Sequence, residues 1–305
     1  MEEIKFFIVD VFATTKYEGN QLGVFIDLEN RLSEKKMQQI AREINFAETT
    51  FIKQIKDNLR FVVRIFTPEH EVPFAGHPSI GTSYIIAKFI FPEVGNKLIL
   101  ELAHSDVEIT IPEPANLDES VFYMRQAQPE FGRVFTGEEI AEGLKIKLDN
   151  IDTSLPIQEI STGLPYIIIP LKSLASIEDL ALNYESFKDF LLARDSYRTN
   201  SLTGHSTSLF FFTKETYETE NSYNTRMLLI ENNKLSEDAA TGSANGCLLA
   251  YLLTYERNNL KATVEQGFQM GRKSYLYLDG ALTNGNYQIN IGGRNKLISE
   301  GVWYA

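Results

Sequence analysis

Residues 64–89 read RIFTPEHEVPFAGHPSIGTSYIIAKF, and the order of features along them sets out the fold. An apolar strand runs into a loop carrying Pro68 and Pro73. Gly76-His77-Pro78 follows, and then an apolar segment from Ile80 to Phe89. Proline is favoured at the first helical position because its missing N–H has no helical partner there. A helix is therefore predicted to begin near Pro78-Ser79, with His77 at its mouth. First-turn amides point outward unpaired and the helix dipole adds positive potential, so such a mouth suits an anion. The same residues also fit a plain strand–loop–helix connection with a surface histidine.

Residues 235–255, LSEDAATGSANGCLLAYLLTY, repeat the pattern: a loop of small residues enters an apolar helix. Aligning Gly76-His77 with Gly242-Ser243 superposes the two helix entries. Residue identity across them is poor, so the likeness is one of architecture. A helix that is apolar all round is buried. Two such helices in a chain otherwise rich in strands predict a sheet curled around a central helix, made twice, with the two halves facing one cleft.

Strands are predicted at Ile4–Phe12, Leu22–Ile26, Thr50–Ile55, Leu59–Phe66, Lys97–Leu102, Val107–Ile111 and Val121–Arg125. In the second half they are predicted at Ile157–Ser161, Tyr166–Leu171, Ser208–Lys214, Thr225–Ile230, Thr263–Phe268, Ser274–Leu278, Tyr287–Ile291 and Leu297–Tyr304. Ser33 caps a helix that carries Met37, Ile40, Ala41 and Ile44 on one face. Thr136 and Glu139 form a capping-box pattern within a polar, helical run from Phe131 to Asp152. A further helix is expected over Tyr184–Ala193, and a surface loop over Asp195–His205. The domain boundary falls between about Pro112 and Gly132. The division adopted is 1–120 and 121–305, with the last strands free to cross back to the first domain.

Composition narrows the function. The chain has 305 residues, enough for two domains or one large one, and 43% are hydrophobic. A net charge of −12 argues against nucleic acid, which needs a basic stripe. No run of about 18 apolar residues is present, so no membrane span is expected. The opening MEEIKFFIVDVF lacks a basic leader and reads as a strand, which fits a cytoplasmic setting. The single cysteine, Cys247, excludes an intramolecular disulfide, a multi-cysteine metal site and a racemase built on two thiols. It lies in the apolar helix and reads as a small packed hydrophobe. The four histidines show no metal-ligand spacing, and no glycine-rich phosphate loop follows a strand.

Several motifs together resemble the PhzF family, the phenazine-biosynthesis-like isomerases and epimerases related to diaminopimelate epimerase. They are Asp10-Val11-Phe12 with Gly19-Asn20, Glu48-Thr49-Thr50-Phe51, Arg64-Ile65-Phe66-Thr67-Pro68, and Pro73-Phe74-Ala75-Gly76-His77-Pro78. They continue with Ser236 to Ala244, and with Glu265-Gln266-Gly267 and Met270-Gly271-Arg272. The resemblance spans almost the whole chain. It implies an α/β (α+β) fold of two pseudo-symmetric domains, each a curved, mostly antiparallel sheet around a central helix. It also implies an active site between those domains and cofactor-independent proton transfer there, with Glu48 as acid and base and His77 and Asp238 assisting. Two departures bear on substrate choice: Gly19-Asn20-Gln21 where the family often has Gly-Asn-Pro, and Glu237-Asp238-Ala239 where it often has Glu-Asp-Pro.

From the residues alone, Glu48 is either a solvated edge carboxylate or a group held in a cleft. In a cleft it can take a proton beside a carbonyl or double bond and return it elsewhere. His77 can relay a proton or orient substrate. Asp238 can polarise an amino or hydroxyl group. Asn20, Gly76, Pro78, Thr241, Gly242 and Ser243 are the candidate substrate-binding residues, and small side chains there let a ligand reach the backbone. His70, His104 and His205 read as surface or structural. The expected partner is a small anionic metabolite, with no metal and no cofactor, and a homodimer is compatible with family and sequence. A silent metabolite-binding protein on the same fold is the alternative.

Overall fold

The computed structural model describes residues 2–57, 59–196, 207–231 and 233–305. Residues 197–205 of the loop expected at Asp195–His205 lie outside them, His205 included. The chain divides into two compact units: Met1–Arg125 with Gly292–Ala305, and Gln126–Ile291.

The first unit contains β1 (Glu3–Val11), β2 (Asn20–Ile26), α1 (Glu34–Ile44), β3 (Glu48–Asp57), β4 (Arg60–Phe66), β5 (Glu71–Val72), α2 (Gly76–Ile85), β6 (Lys97–Glu101), β7 (Asp106–Thr110) and β8 (Phe122–Arg125). β1 and β2 pair antiparallel, β2 and β3 parallel, β3 and β4 antiparallel, β4 and β6 parallel, and β6 and β7 antiparallel. The short β5 returns on β4 as a hairpin.

The second unit contains β9 (Glu130–Phe135), α3 (Gly137–Leu144), β10 (Ile157–Ser161), β11 (Pro165–Pro170), α4 (Leu174–Glu178), α5 (Tyr184–Leu192), β12 (Ser208–Thr213), β13 (Tyr223–Glu231), β14 (Lys234–Asp238), α6 (Gly242–Tyr255), β15 (Asn259–Gln266), β16 (Ser274–Thr283) and all but the last two residues of β17 (Asn286–Gly293). Its ladder repeats the first: β10–β11 antiparallel, β11–β12 parallel, β12–β13 antiparallel, β13–β15 parallel, β15–β16 antiparallel, with β14 as the return on β13. The final strand, β18 (Asn295–Tyr304), lies antiparallel on β1 and belongs to the first unit. Each unit thus has the same strand order, and α2 and α6 occupy the same place in it.

Each central helix is enclosed because strands meet it from several sides. α2 touches β1, β2, β3, β6, β7, β8 and β18, and all ten of its residues are buried. α6 touches β10, β11, β15 and β16 and buries Gly242 to Leu253. Strands from the start and the end of each ladder reach one helix, so each sheet curls around it. Buried hydroxyls in α2 are satisfied locally: Ser79 Oγ donates to the Ala75 carbonyl and Ser83 Oγ to the Ser79 carbonyl, each at 2.8 Å. Gly81 sits against the sheet so closely that a Cβ there would lie 2.6 Å from the side chains of Val11 and Leu22. A larger residue would overpack this contact.

α1 covers the opposite face of the first sheet. Ser33 accepts from the Lys36 N–H at 3.3 Å, and Asn45 ends the helix in the left-handed region with φ 57°. Met37, Ile40 and Ala41 bury against Phe25, Phe51 and Phe66. In the second unit α3 carries the capping box of Thr136 and Glu139, and Ile140 and Leu144 pack with Phe187, Phe190, Ile167 and Ile169.

Three local readings change. The run from Phe131 is a strand first, β9, and becomes helical only at Gly137. The loop before α6 is partly strand, since Leu235 to Asp238 belong to β14. α2 begins at Gly76, ahead of the predicted start, with Ala75 as an extended N-cap. Proline tolerates any first-turn position because those amides have no helical partner, so Pro78 does not need to open the helix.

Candidate active site

In the first unit β2 and β3 lie parallel, with Leu22 opposite Glu48, and α2 covers the same edge. Asn20 opens β2, Glu48 opens β3 and His77 is the second residue of α2. His77 Nε2 stands 3.4 Å from Glu48 Oε2, and His77 Nδ1 stands 3.4 Å from Asn20 Nδ2. The structure therefore brings Asn20, Glu48 and His77 together although they are far apart in sequence. Gly76 and Pro78 flank the histidine in the buried first turn.

The electrostatics of the pair follow from burial. The Glu48 side chain is 20% exposed and that of His77 only 6%. Desolvation pushes the imidazole down to about 3, and a hydrogen bond with the Gln21 backbone opposes this only in part. His77 is thus neutral near pH 7, so its contact with Glu48 is not an ion pair. A neutral imidazole has one N–H and one acceptor nitrogen. While it stays neutral it can donate a hydrogen bond from one ring nitrogen and accept one at the other. Nε2 lacks a hydrogen-bond partner, which is uncommon for a buried polar atom.

In the second unit Asp238 ends β14, and Thr241 is the N-cap of α6 with φ −117° and ψ 96°. The Thr241 hydroxyl makes no bond to the helix amides and instead donates to Asp238 Oδ2 at 2.5 Å. Gly242 and Ser243 form the buried start of α6, where Ser243 Oγ meets the Tyr166 hydroxyl at 2.7 Å. Glu237 is clamped by Arg226, with Nε to Oε1 at 2.9 Å and Nη2 to Oε2 at 2.7 Å. This fork fixes the strand end from which Asp238 projects. Asp238, Thr241, Gly242 and Ser243 therefore form a second assembled cluster.

Other candidates fall away from these clusters. His104 is exposed, and His70 is half-buried in a turn where its carbonyl accepts from the Thr67 N–H at 2.9 Å. Cys247 is buried in α6, and desolvation pushes its thiol up to about 12, which leaves it unreactive. Among the described residues, no group of three or more His, Cys, Asp or Glu side chains is arranged to hold a metal ion. Among the same residues, no helix is long and apolar enough to cross a membrane. Two residues outside the predicted site set complete the second cluster: Tyr166, which binds Ser243, and Gln266, which binds Thr241. Gln266 stands in the Glu265-Gln266-Gly267 motif of the family resemblance, which assigns it no role.

The sequence pattern of the phenazine biosynthesis-like proteins, PhzC-PhzF, matches residues 9–301. The trans-2,3-dihydro-3-hydroxyanthranilate isomerase of Pseudomonas chlororaphis is 29% identical over 272 residues, 88% of either chain. A Bacillus anthracis phenazine biosynthesis protein of the PhzF family superposes with a TM-score of 0.86 at 27% identity, covering 100% of both chains. A hydroxyproline epimerase from Agrobacterium vitis shares the fold at TM-score 0.59 and 10% identity, over 98% of this chain and 92% of its own. The chain belongs to the PhzC-PhzF family of phenazine biosynthesis-like proteins and, with its relatives, to the isomerases.

Proposed function

We propose that this isomerase moves a proton within a small carboxylate- or amino-acid-like metabolite, with Glu48 as both acid and base, and without a cofactor. The observation that carries the reading is the Glu48–His77 pair: a partly shielded carboxylate 3.4 Å from a buried, neutral imidazole. Glu48 takes a proton from carbon beside an unsaturated or carbonyl group and returns it at another position. His77 orients the reacting group and accepts or supplies a proton at its unpartnered Nε2. Asp238 accepts a hydrogen bond from an amino or hydroxyl group of a substrate. First-turn amides of α2, beside His77, suit its carboxylate, the helix dipole adding about 0.3–1 kcal/mol. The Pseudomonas relatives are named for isomerising trans-2,3-dihydro-3-hydroxyanthranilate, and a substrate of similar size and charge suits this arrangement.

Incubation with a panel of small carboxylic and amino acids in deuterated water tests the proposal. Mass gain, or conversion to an isomer, identifies the substrate class. Glu48→Gln keeps the shape of the side chain and cannot cycle a proton. It is expected to slow exchange by about 10²–10⁴-fold. Exchange at the unmodified rate in that variant would remove Glu48 from the role. Binding without exchange by the unmodified protein would favour a silent metabolite-binding protein.

A further inference from the structure

Gln266 ends β15 and is wholly buried, with 0% of its surface exposed. Its Oε1 accepts from the Thr241 backbone N–H at 3.1 Å and from Asn245 Nδ2 at 3.0 Å. Its Nε2 donates to the Asp238 carbonyl at 3.0 Å and to Thr241 Oγ1 at 2.9 Å. A backbone N–H can only donate and a carbonyl can only accept, so these two partners fix which end of the amide is which. Thr241 Oγ1 then accepts a hydrogen bond from Gln266, and its own O–H donates to Asp238 Oδ2 at 2.5 Å. The chain of hydrogen bonds has one direction: amide to hydroxyl to carboxylate.

The backbone is shaped to bring this amide in. Gly267 has φ 73°, and a Cβ there would lie 2.6 Å from the Ala239 carbonyl oxygen and 2.4 Å from that of Arg272. The strand end is thus pressed against the Asp238–Thr241 loop, and only glycine fits at the join. Asn245, also 0% exposed, braces the same loop by donating to the Thr241 carbonyl at 3.0 Å.

We propose that Gln266 is a positioning residue of the reaction: it sets the direction of the Thr241 hydroxyl proton and so holds Asp238 as a hydrogen-bond acceptor for a substrate amino or hydroxyl group. The inference rests on the role given to Asp238 above. Gln266 acts through Thr241, and its amide chemistry matters beyond its bulk.

Gln266→Glu tests this. The introduced carboxylate, when ionised, accepts only, so it turns the Thr241 hydroxyl toward itself and strips Asp238 of its donor. When protonated it again offers a donor to Thr241. Deuterium exchange into substrate is expected to fall about tenfold to hundredfold at pH 8, the range for a lost hydrogen bond to a charged group, and to recover in part as pH drops toward about 5.5. Circular dichroism at each pH reports whether the variant is folded. A folded variant whose loss is the same at both pH values overturns the proposal.

Thr241→Val, Gln266→Ala and their double variant supply a second arm that does not depend on Gln266→Glu folding. The expected result is that the double variant loses no more than Thr241→Val alone. Multiplying losses overturn the proposal. If the unmodified protein exchanges none of the panel, the proposed function fails by itself. The hydrogen-bond direction is then read from the Gln266 side-chain amide protons by NMR. They are expected to exchange slowly, and faster in Thr241→Val; no change in that variant overturns the network.

Discussion

At the scale of single residues, His77 links acid sensitivity to the site. Its ring is neutral in the folded state down to about 3, whereas an unfolded chain takes up that proton near 6.5. As pH falls through 6.5 the unfolded state gains a proton that the native state refuses. Stability therefore falls with pH across this window, by a slope approaching about 1.4 kcal/mol per pH unit. His77→Gln removes the term. Urea unfolding between pH 7.5 and 5.5 should show the unmodified protein losing stability relative to this variant as the solution becomes more acidic. Parallel curves for the two proteins would contradict the burial argument. Glu48 shows how far the sequence reads at this scale. Its place between an apolar helix and an apolar strand was visible, but not whether water reached it. That depends on His77, which α2 brings across from 29 positions later in the chain.

Elements were legible where one face is buried and the other wet. α1 follows its apolar stripe and its Ser33 cap, and α3 its capping box. β9 and β14 were not legible, for a physical reason. Five of the six β9 residues are exposed, and no β14 residue is fully buried, so neither strand has an apolar period to read. They are held by pairing and by charge. Each unit ties the strand before its central helix with an arginine fork: Arg64 grips Glu71 between β4 and β5, and Arg226 grips Glu237 between β13 and β14. The Arg226–Glu237 side chains are 12% and 15% exposed, and Arg226 also donates to the carbonyls of Ile177 and Leu180 at 3.0 and 3.1 Å. The Arg64–Glu71 side chains are 28% exposed each. Breaking the better buried fork should cost more. Arg226→Met is expected to lose about 3 kcal/mol and Arg64→Met about 1 kcal/mol in urea titrations. Equal losses would mean that burial does not govern the two ties.

For the whole molecule, the repeated ladder was readable as two similar helix entries, while the strand pairing behind it was not, because pairing partners lie far apart in sequence. Gly76-His77 and Gly242-Ser243 open helices at the same point of the same strand order, yet share almost no side chains. The repeat conserves what the backbone must do and leaves the chemistry to differ: a histidine beside Glu48 in one unit, a serine beside Tyr166 in the other.

The pairing of β18 with β1 has a consequence for biosynthesis. β1 carries Phe6, Phe7, Ile8 and Val9, and along one edge its partner is made only after residues 126–291. At about 5–20 residues per second, the ribosome needs on the order of 10–60 s to travel from β1 to β18. Throughout that interval an apolar strand has an open edge, the kind of edge that pairs with other chains. The second unit needs nothing from β18 for its own ladder and can close first. Chains ending at residue 291 and tethered to the ribosome by a flexible linker long enough to clear the exit tunnel should thus show a protease-resistant second unit and a β1 that is cut, or held by a chaperone. Protection of β1 at that length would show that the first sheet completes without its last strand.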